Sequence, residues 1–366
     1  MPVLLSGWLM RCGTCLKIRN MMKNRVFVFV LLVSLSFSAC NFRQDSGVKE
    51  QSSQSDTTGV WLGKGKEAVK PVNAIAIPGN SASVDLSRIR NGIAAAQKGE
   101  YKEALKHFDE AIEEDPTNVH FRYYRVEAYM SLKQYDKAQE DMAYIDRFNP
   151  DLEHFHALKG RYFNAQQQFL PAYHEFRLAT QSDPNDAVAW DSKGAAAMNV
   201  MKLREAMEAF NKAIDLNPRM ASAYYNRGLL FANNQDFNRA VEDLSYSIEL
   251  EPGNAQAYVN RGNTYFMMKS YALAEQDYLQ AVALDPENWL PYNGLGSTCK
   301  ANGDNAQAIL YYTRAMEKNP KATNPIYNRG LAYFANGERN KACADWEKAK
   351  LMGVSQAQKW LDMYCK

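Results

Sequence analysis

Residues 221–254 read ASAYYNRGLLFANNQDFNRAVEDLSYSIELEPGN. The proline near the end of this stretch, Pro252, has counterparts at 34-residue intervals: Pro116, Pro150, Pro184, Pro218, Pro286 and Pro320. Seven of the chain's 13 prolines therefore stand on one ruler, with no insertion between them. A fixed period of this length means one structural unit copied and stacked, each copy burying its apolar face against its neighbours. It overrides the two or three domains that a chain of 366 residues would otherwise suggest. The units that align without a gap are 85–118, 119–152, 153–186, 187–220, 221–254, 255–288, 289–322 and 323–356.

Within each unit the same residue types return. The eighth residue is glycine at Gly92, Gly160, Gly194, Gly228, Gly262, Gly296 and Gly330, with Val126 in the second unit. The twentieth is alanine in all eight, from Ala104 to Ala342. Four later stands a large apolar residue: Phe108, Met142, Phe176, Phe210, Leu244, Tyr278, Tyr312 or Trp346. Three beyond that, most units return to alanine, as at Ala111, Ala213 and Ala315. Spacing of four then three marks one face of a helix. Asn118, Asp186, Asn254 and Asn288 follow their prolines by two residues, where a first helix needs a side-chain N-cap. Proline ends the second helix because it cannot continue one, and Pro171 falls at a second-helix start, where proline is tolerated. Gly99, Gly303 and Gly337 mark the turn between the two helices.

This pattern resembles the tetratricopeptide repeat (TPR) over residues 85–356, most closely at Ala221-Ser222-Ala223-Tyr224-Tyr225-Asn226-Arg227-Gly228. The resemblance implies an all-α fold, a right-handed superhelix (α-solenoid) of eight helix-turn-helix repeats. Residues 357–366, with Trp360, Leu361, Met363 and Tyr364 in apolar spacing, read as the helix that caps the last unit. The resemblance also implies a concave face, lined by the first helices, that binds an extended peptide or a protein partner. Asn226, Asn260 and Asn328 fall there in register, interrupted by Gly294, with Asn263 on the same face. Tyr123, Tyr225 and Tyr327 precede the register position. An amide offers both a donor and an acceptor to a peptide backbone, and tyrosine adds apolar area with a polar tip. No unit carries the lysine and asparagine four apart that clamp a terminal carboxylate in chaperone-binding relatives; Val259 stands where that lysine would be.

Eight copies can be compared with one another. The seventh residue is arginine in four units, Arg125, Arg227, Arg261 and Arg329, and those four carry an aspartate 16 residues on: Asp141, Asp243, Asp277 and Asp345. Lys159 and Glu175 form a variant in the third unit, and the remaining units lack both members. The correlation predicts structural ion pairs between the two helices of a unit, since arginine bonds a carboxylate through two donors at once.

The chain opens with a segment that reads as an address. Lys23, Asn24 and Arg25 precede the apolar run 26–33, which continues to Phe37 and is followed by Ser38, Ala39 and Cys40. A basic start, a short apolar stretch and small residues make a secretory signal. Cys40 resembles the lipidated cysteine of bacterial lipoproteins, although Phe37 stands where leucine is usual. Met21 or Met22 would begin a standard signal. Residues 41–84, rich in Ser, Gln, Thr and Gly, read as a tether. The expectation is a lipid-anchored protein of the cell envelope, on the periplasmic or surface side of an outer membrane, held to the membrane by its N-terminal lipid.

Residues 1–39 hold five basic residues and no acid; without them 38 basic face 41 acidic residues. A nucleic-acid binder needs a basic face, so that class is set aside. Cys343 and Cys365 flank the last repeat and the cap, and a disulfide between them would pin the cap in an oxidising compartment; the alternative is two unpaired thiols. Cys299 reads as buried. His120 and His154 share one place in adjacent units, without the further ligands a metal needs. No catalytic motif occurs. The reading is a non-enzymatic scaffold without cofactor or metal, for envelope assembly, secretion or docking of cell-wall enzymes. The other reading is a structural subunit of a large envelope complex that uses its convex faces and has no peptide ligand.

Overall fold

The structure, a computed structural model, describes residues 86–365. Cys40, the signal and the tether lie outside the described residues. Those described are all-helical, with 17 helices and no strand. No helix among them is long and apolar enough to cross a membrane. They form two compact units divided between Asn302 and Gly303.

The first compact unit contains α1 (Ser87–Gln97), α2 (Tyr101–Glu114), α3 (Val119–Ser131), α4 (Tyr135–Phe148), α5 (Phe155–Ala165), α6 (Phe169–Ser182) and α7 (Ala187–Asn199). It continues with α8 (Leu203–Leu216), α9 (Ala221–Asn233), α10 (Phe237–Leu250), α11 (Ala255–Met267), α12 (Tyr271–Leu284) and α13 (Trp289–Ala301). The second contains α14 (Asn305–Lys318), α15 (Thr323–Ala335), α16 (Arg339–Leu351) and α17 (Ser355–Tyr364). Within each compact unit, neighbours in sequence pack as antiparallel hairpins, and within the first unit each hairpin packs on the next.

The periodic prolines set where the second helices stop. The residue before each one has ψ between 74° and 94°, out of the helical region that proline disfavours for its predecessor. The next helix then starts on a side-chain cap: Asn118, Asp186, Asn254 and Asn288 each accept from a first-turn backbone N–H. Of the helices that follow a periodic proline, one starts late. α5 begins at Phe155 rather than 153, because Leu152 turns into the core and His154 takes a left-handed conformation (φ 61°).

All eight alanines of the twentieth register position are fully buried. Beside them the large residue four positions on fills the space between helices, from Phe108 to Trp346. In the second compact unit α17 closes the end of the stack: Ala357 and Val354 are buried, and Trp360 and Tyr364 stack on each other at 5.4 Å.

Candidate functional site

Two systems of polar side chains run through the helices. The first holds the four arginines. Arg125, Arg227, Arg261 and Arg329 each send Nε and Nη2 to the two carboxylate oxygens of Asp141, Asp243, Asp277 and Asp345, at 2.7–2.9 Å. The aspartates are buried and the arginine side chains are 16–20% exposed. Such bidentate, charge-assisted bonds are about twice as strong as neutral ones, and removing one partner of a buried pair costs about 3–5 kcal/mol.

The remaining nitrogen, Nη1, reaches back into the preceding hairpin. It donates to Asp109, Asn211, Ser245 and Thr313 respectively, at 2.7–3.0 Å. Each arginine therefore ties three helices. Each guanidinium also lies near the aromatic ring one turn further along its own helix: Tyr129, Phe231, Tyr265 and Tyr333, at 5.5–5.9 Å. Asp141 takes a second arginine, Arg122, which stacks on Tyr144 at 3.9 Å.

The Lys159/Glu175 variant does not form as a pair. Lys159 Nζ lies 2.5 Å from Asp146 of α4, and Glu175 Oε2 lies 2.8 Å from His156 Nδ1. Lysine has no planar fork to span a carboxylate, and its flexible stem turns to the nearer acid.

The second system is the face of the first helices. Here three of the expected ligand-facing residues are inside the protein. Tyr225 and Asn226 have no exposure and Tyr123 is buried. Consecutive first helices pack against each other, and the fifth and sixth register positions point into that seam. Asn226 Nδ2 donates to Asp191 Oδ1 at 3.0 Å, and Asn260 Nδ2 donates to Tyr225 Oη at 2.7 Å. A side chain at place six thus bonds the one at place five in the preceding copy. Tyr123 bonds Arg161 of α5, which also pairs with Glu127; burial pushes the Tyr123 hydroxyl up to about 12. Asp191 is buried with only neutral partners, Asn226 and Ser222, and desolvation raises its carboxyl to about 6.

Asn260 and Asn263 are the partly exposed members of the row in the first compact unit. They stand three apart on α11, hence on one face. Tyr278 Oη donates to Asn263 Oδ1 at 2.8 Å. With Asn260 giving its amide to Tyr225, the Asn260 carbonyl and the Asn263 amide remain uncommitted. In the second compact unit, Tyr327 and Asn328 are partly exposed, and Tyr327 accepts from Trp360 Nε1 at 3.0 Å.

Cys343 and Cys365 form a disulfide in the structure, with Cα atoms 5.7 Å apart, joining α16 to the end of α17. Cys299 is buried. Among the described residues no group of three His, Cys, Asp or Glu side chains is placed to hold a metal.

Sequence comparison missed the third bond of each arginine. Its signal lies one copy away: the residues accepting from Nη1 are Asp109, Asn211, Ser245 and Thr313, whereas copies not followed by an arginine carry Ala143, Arg177 or Leu279 at that place.

Family models described as tetratricopeptide repeat match residues 95–162, 221–254, 255–288 and 292–325, and a TPR repeat model matches 202–235. A tetratricopeptide repeat and J domain-containing co-chaperone of Cryptococcus neoformans is 26% identical over 124 residues, covering 34% of this chain and 24% of that protein. The chain thus spans about a quarter of that relative. Among solved structures, a tetratricopeptide repeat protein from Parabacteroides merdae superposes with a TM-score of 0.54 at 19% identity, over 68% of this chain and 99% of its own. The Cut9–Hcn1 hetero-tetramer of the APC/C gives 0.59 at 14% identity, over 76% of this chain and 55% of that one. These likenesses show a TPR solenoid fold.

Proposed function

Because the chain belongs to the tetratricopeptide repeat family, we propose that it is a non-catalytic protein-interaction scaffold whose first-helix face holds an extended peptide segment. The carrying observation is the amide pair on α11. Tyr225 fixes the Asn260 side chain and Tyr278 fixes that of Asn263, which leaves one acceptor and one donor on the same helix face. A peptide unit presents the complementary N–H and C=O, and amides already fixed in place lose less rotamer freedom on binding. Tyr123, Tyr225 and Asn226 take no part as contacts; they set the seam that positions the row. Tyr327 and Asn328 offer the same chemistry in the second compact unit.

The anchoring reading belongs to the same proposal. Cys40 carries a lipid that holds the scaffold in the cell envelope, and the partner belongs to envelope assembly, secretion or cell-wall enzyme docking. Asn260→Ala with Asn263→Ala, compared with wild type by crosslinking in intact cells, is expected to remove the crosslinked partner while the circular dichroism spectrum stays that of the folded helical array, with some loss of melting temperature from the Tyr225 and Tyr278 hydroxyls that lose a partner. Capture that survives both substitutions overturns the peptide face and favours attachment through the second helices. Cys40→Ser is expected to abolish incorporation of labelled palmitate and release the protein from membranes; retention of the label refutes the anchor.

A further inference from the structure

We propose that the groove beside α5 is a cradle for an arginine side chain supplied by a partner protein. The structure contains four filled versions of this cradle. In each, a guanidinium sits between a buried aspartate at the twenty-third register position and an aromatic ring at the eleventh. The copy around α5 keeps both walls. Its eleventh residue is Phe163, in the place of Phe231, and its twenty-third is Glu175, in the place of Asp243. Copies without an arginine elsewhere have Ala95, Ala197 or Cys299 at the eleventh place, so the aromatic goes with the guanidinium.

What the α5 copy lacks is its own guanidinium. Lys159 turns away to Asp146 and over the Phe155 ring, 4.5 Å from its centroid. A groove of about 350 Å³ is left, lined by Met142, Asp146, Lys159, Phe163, Gln166 and Glu175 among others. Glu175 Oε2 is engaged by His156, which leaves Oε1 for a donor. The Gln166 side-chain amide nitrogen is buried without a partner, and rotation of that amide offers an acceptor instead. Asp146 and Glu175 outnumber the one ammonium, so the groove attracts a cation. A planar guanidinium can meet the carboxylate through two donors while stacking on Phe163; a lysine ammonium cannot do both. The site shares no residue with the amide pair on α11, so either can fail without the other.

The test titrates the whole protein calorimetrically with N-acetyl-L-arginine amide and, separately, with the lysine analogue. Saturable binding of the arginine probe is expected, at least about tenfold tighter than the lysine probe. Lys159→Arg fills the cradle from within and is expected to abolish binding while raising the melting temperature. Glu175→Gln is expected to weaken binding about tenfold or more, with an unchanged circular dichroism spectrum. No saturation by about 10 mM probe, equal affinity for the two probes, or binding that persists in Lys159→Arg overturns the proposal.

Discussion

At the residue scale, Asp191 shows how a solenoid seam can tolerate an unpaired acid. Its carboxylate is buried against an amide and a hydroxyl, with no cation to offset desolvation, so its pKa is raised to about 6. A carboxyl raised in the folded state binds a proton that the unfolded chain releases. The associated penalty is absent below the ordinary aspartate pKa, grows as pH rises from about 4 to about 6, and persists above that. Asp191→Asn keeps the bond from Asn226 and removes the charge. It is expected to raise stability at pH 7.5 by about 3 kcal/mol and to leave it nearly unchanged at pH 3.5, as read from urea unfolding of both proteins at both pH values. A gain of equal size at both would refute the account. The same seam explains why a residue-by-residue reading of the binding face misplaced Tyr225 and Asn226. Tyr225 and Asn226 read the same as Tyr327 and Asn328 at register positions five and six, but whether such a side chain meets solvent depends on the next first helix. That packing is not encoded within one copy.

At the element scale, the hairpin was legible because its closest approach is written as paired sizes. A Cβ added at Gly194 would lie 2.5 Å from Phe210, and one at Gly160 would lie 2.7 Å from Phe176. The copy that carries Val126 in place of glycine carries Met142 opposite, an unbranched side chain that can bend aside. Gly194→Ala is therefore expected to cost about 2 kcal/mol in chemical denaturation, and Phe210→Met to recover part of that loss in the double variant. Strict additivity of the two substitutions would contradict direct packing. The turns were less legible. The residue two before each second helix has positive φ in all eight copies, yet only Gly99, Gly303 and Gly337 announce it. Lys133, Gln167, Met201, Gln235 and Lys269 adopt the same conformation, held there by the hairpin around them.

At the scale of the whole molecule, the array is stabilised by local contacts along its length and finished by a covalent clasp at its end. Reducing the Cys343–Cys365 bridge, which closes a separation of 22 residues, is expected to destabilise the second compact unit by about 3 kcal/mol. The readout is loss of protection in α17 by hydrogen exchange, with α1–α13 unaffected. Equal loss everywhere would show that the clasp supports more than its own end. The fold was readable at this scale because proline, alanine and glycine repeat on one period. The arginine bonds between hairpins were not, because each needs two copies to be compared at once. Those bonds give the repeats a grammar. Removing residues 221–254 would put Asn211 before Arg261, one polar acceptor for another. Removing residues 187–220 instead would bring Arg177 to the place that Asn211 holds beside Arg227, guanidinium against guanidinium. Copies of identical length are therefore not interchangeable words, and recombination within this gene can shorten the array at some joints and not at others.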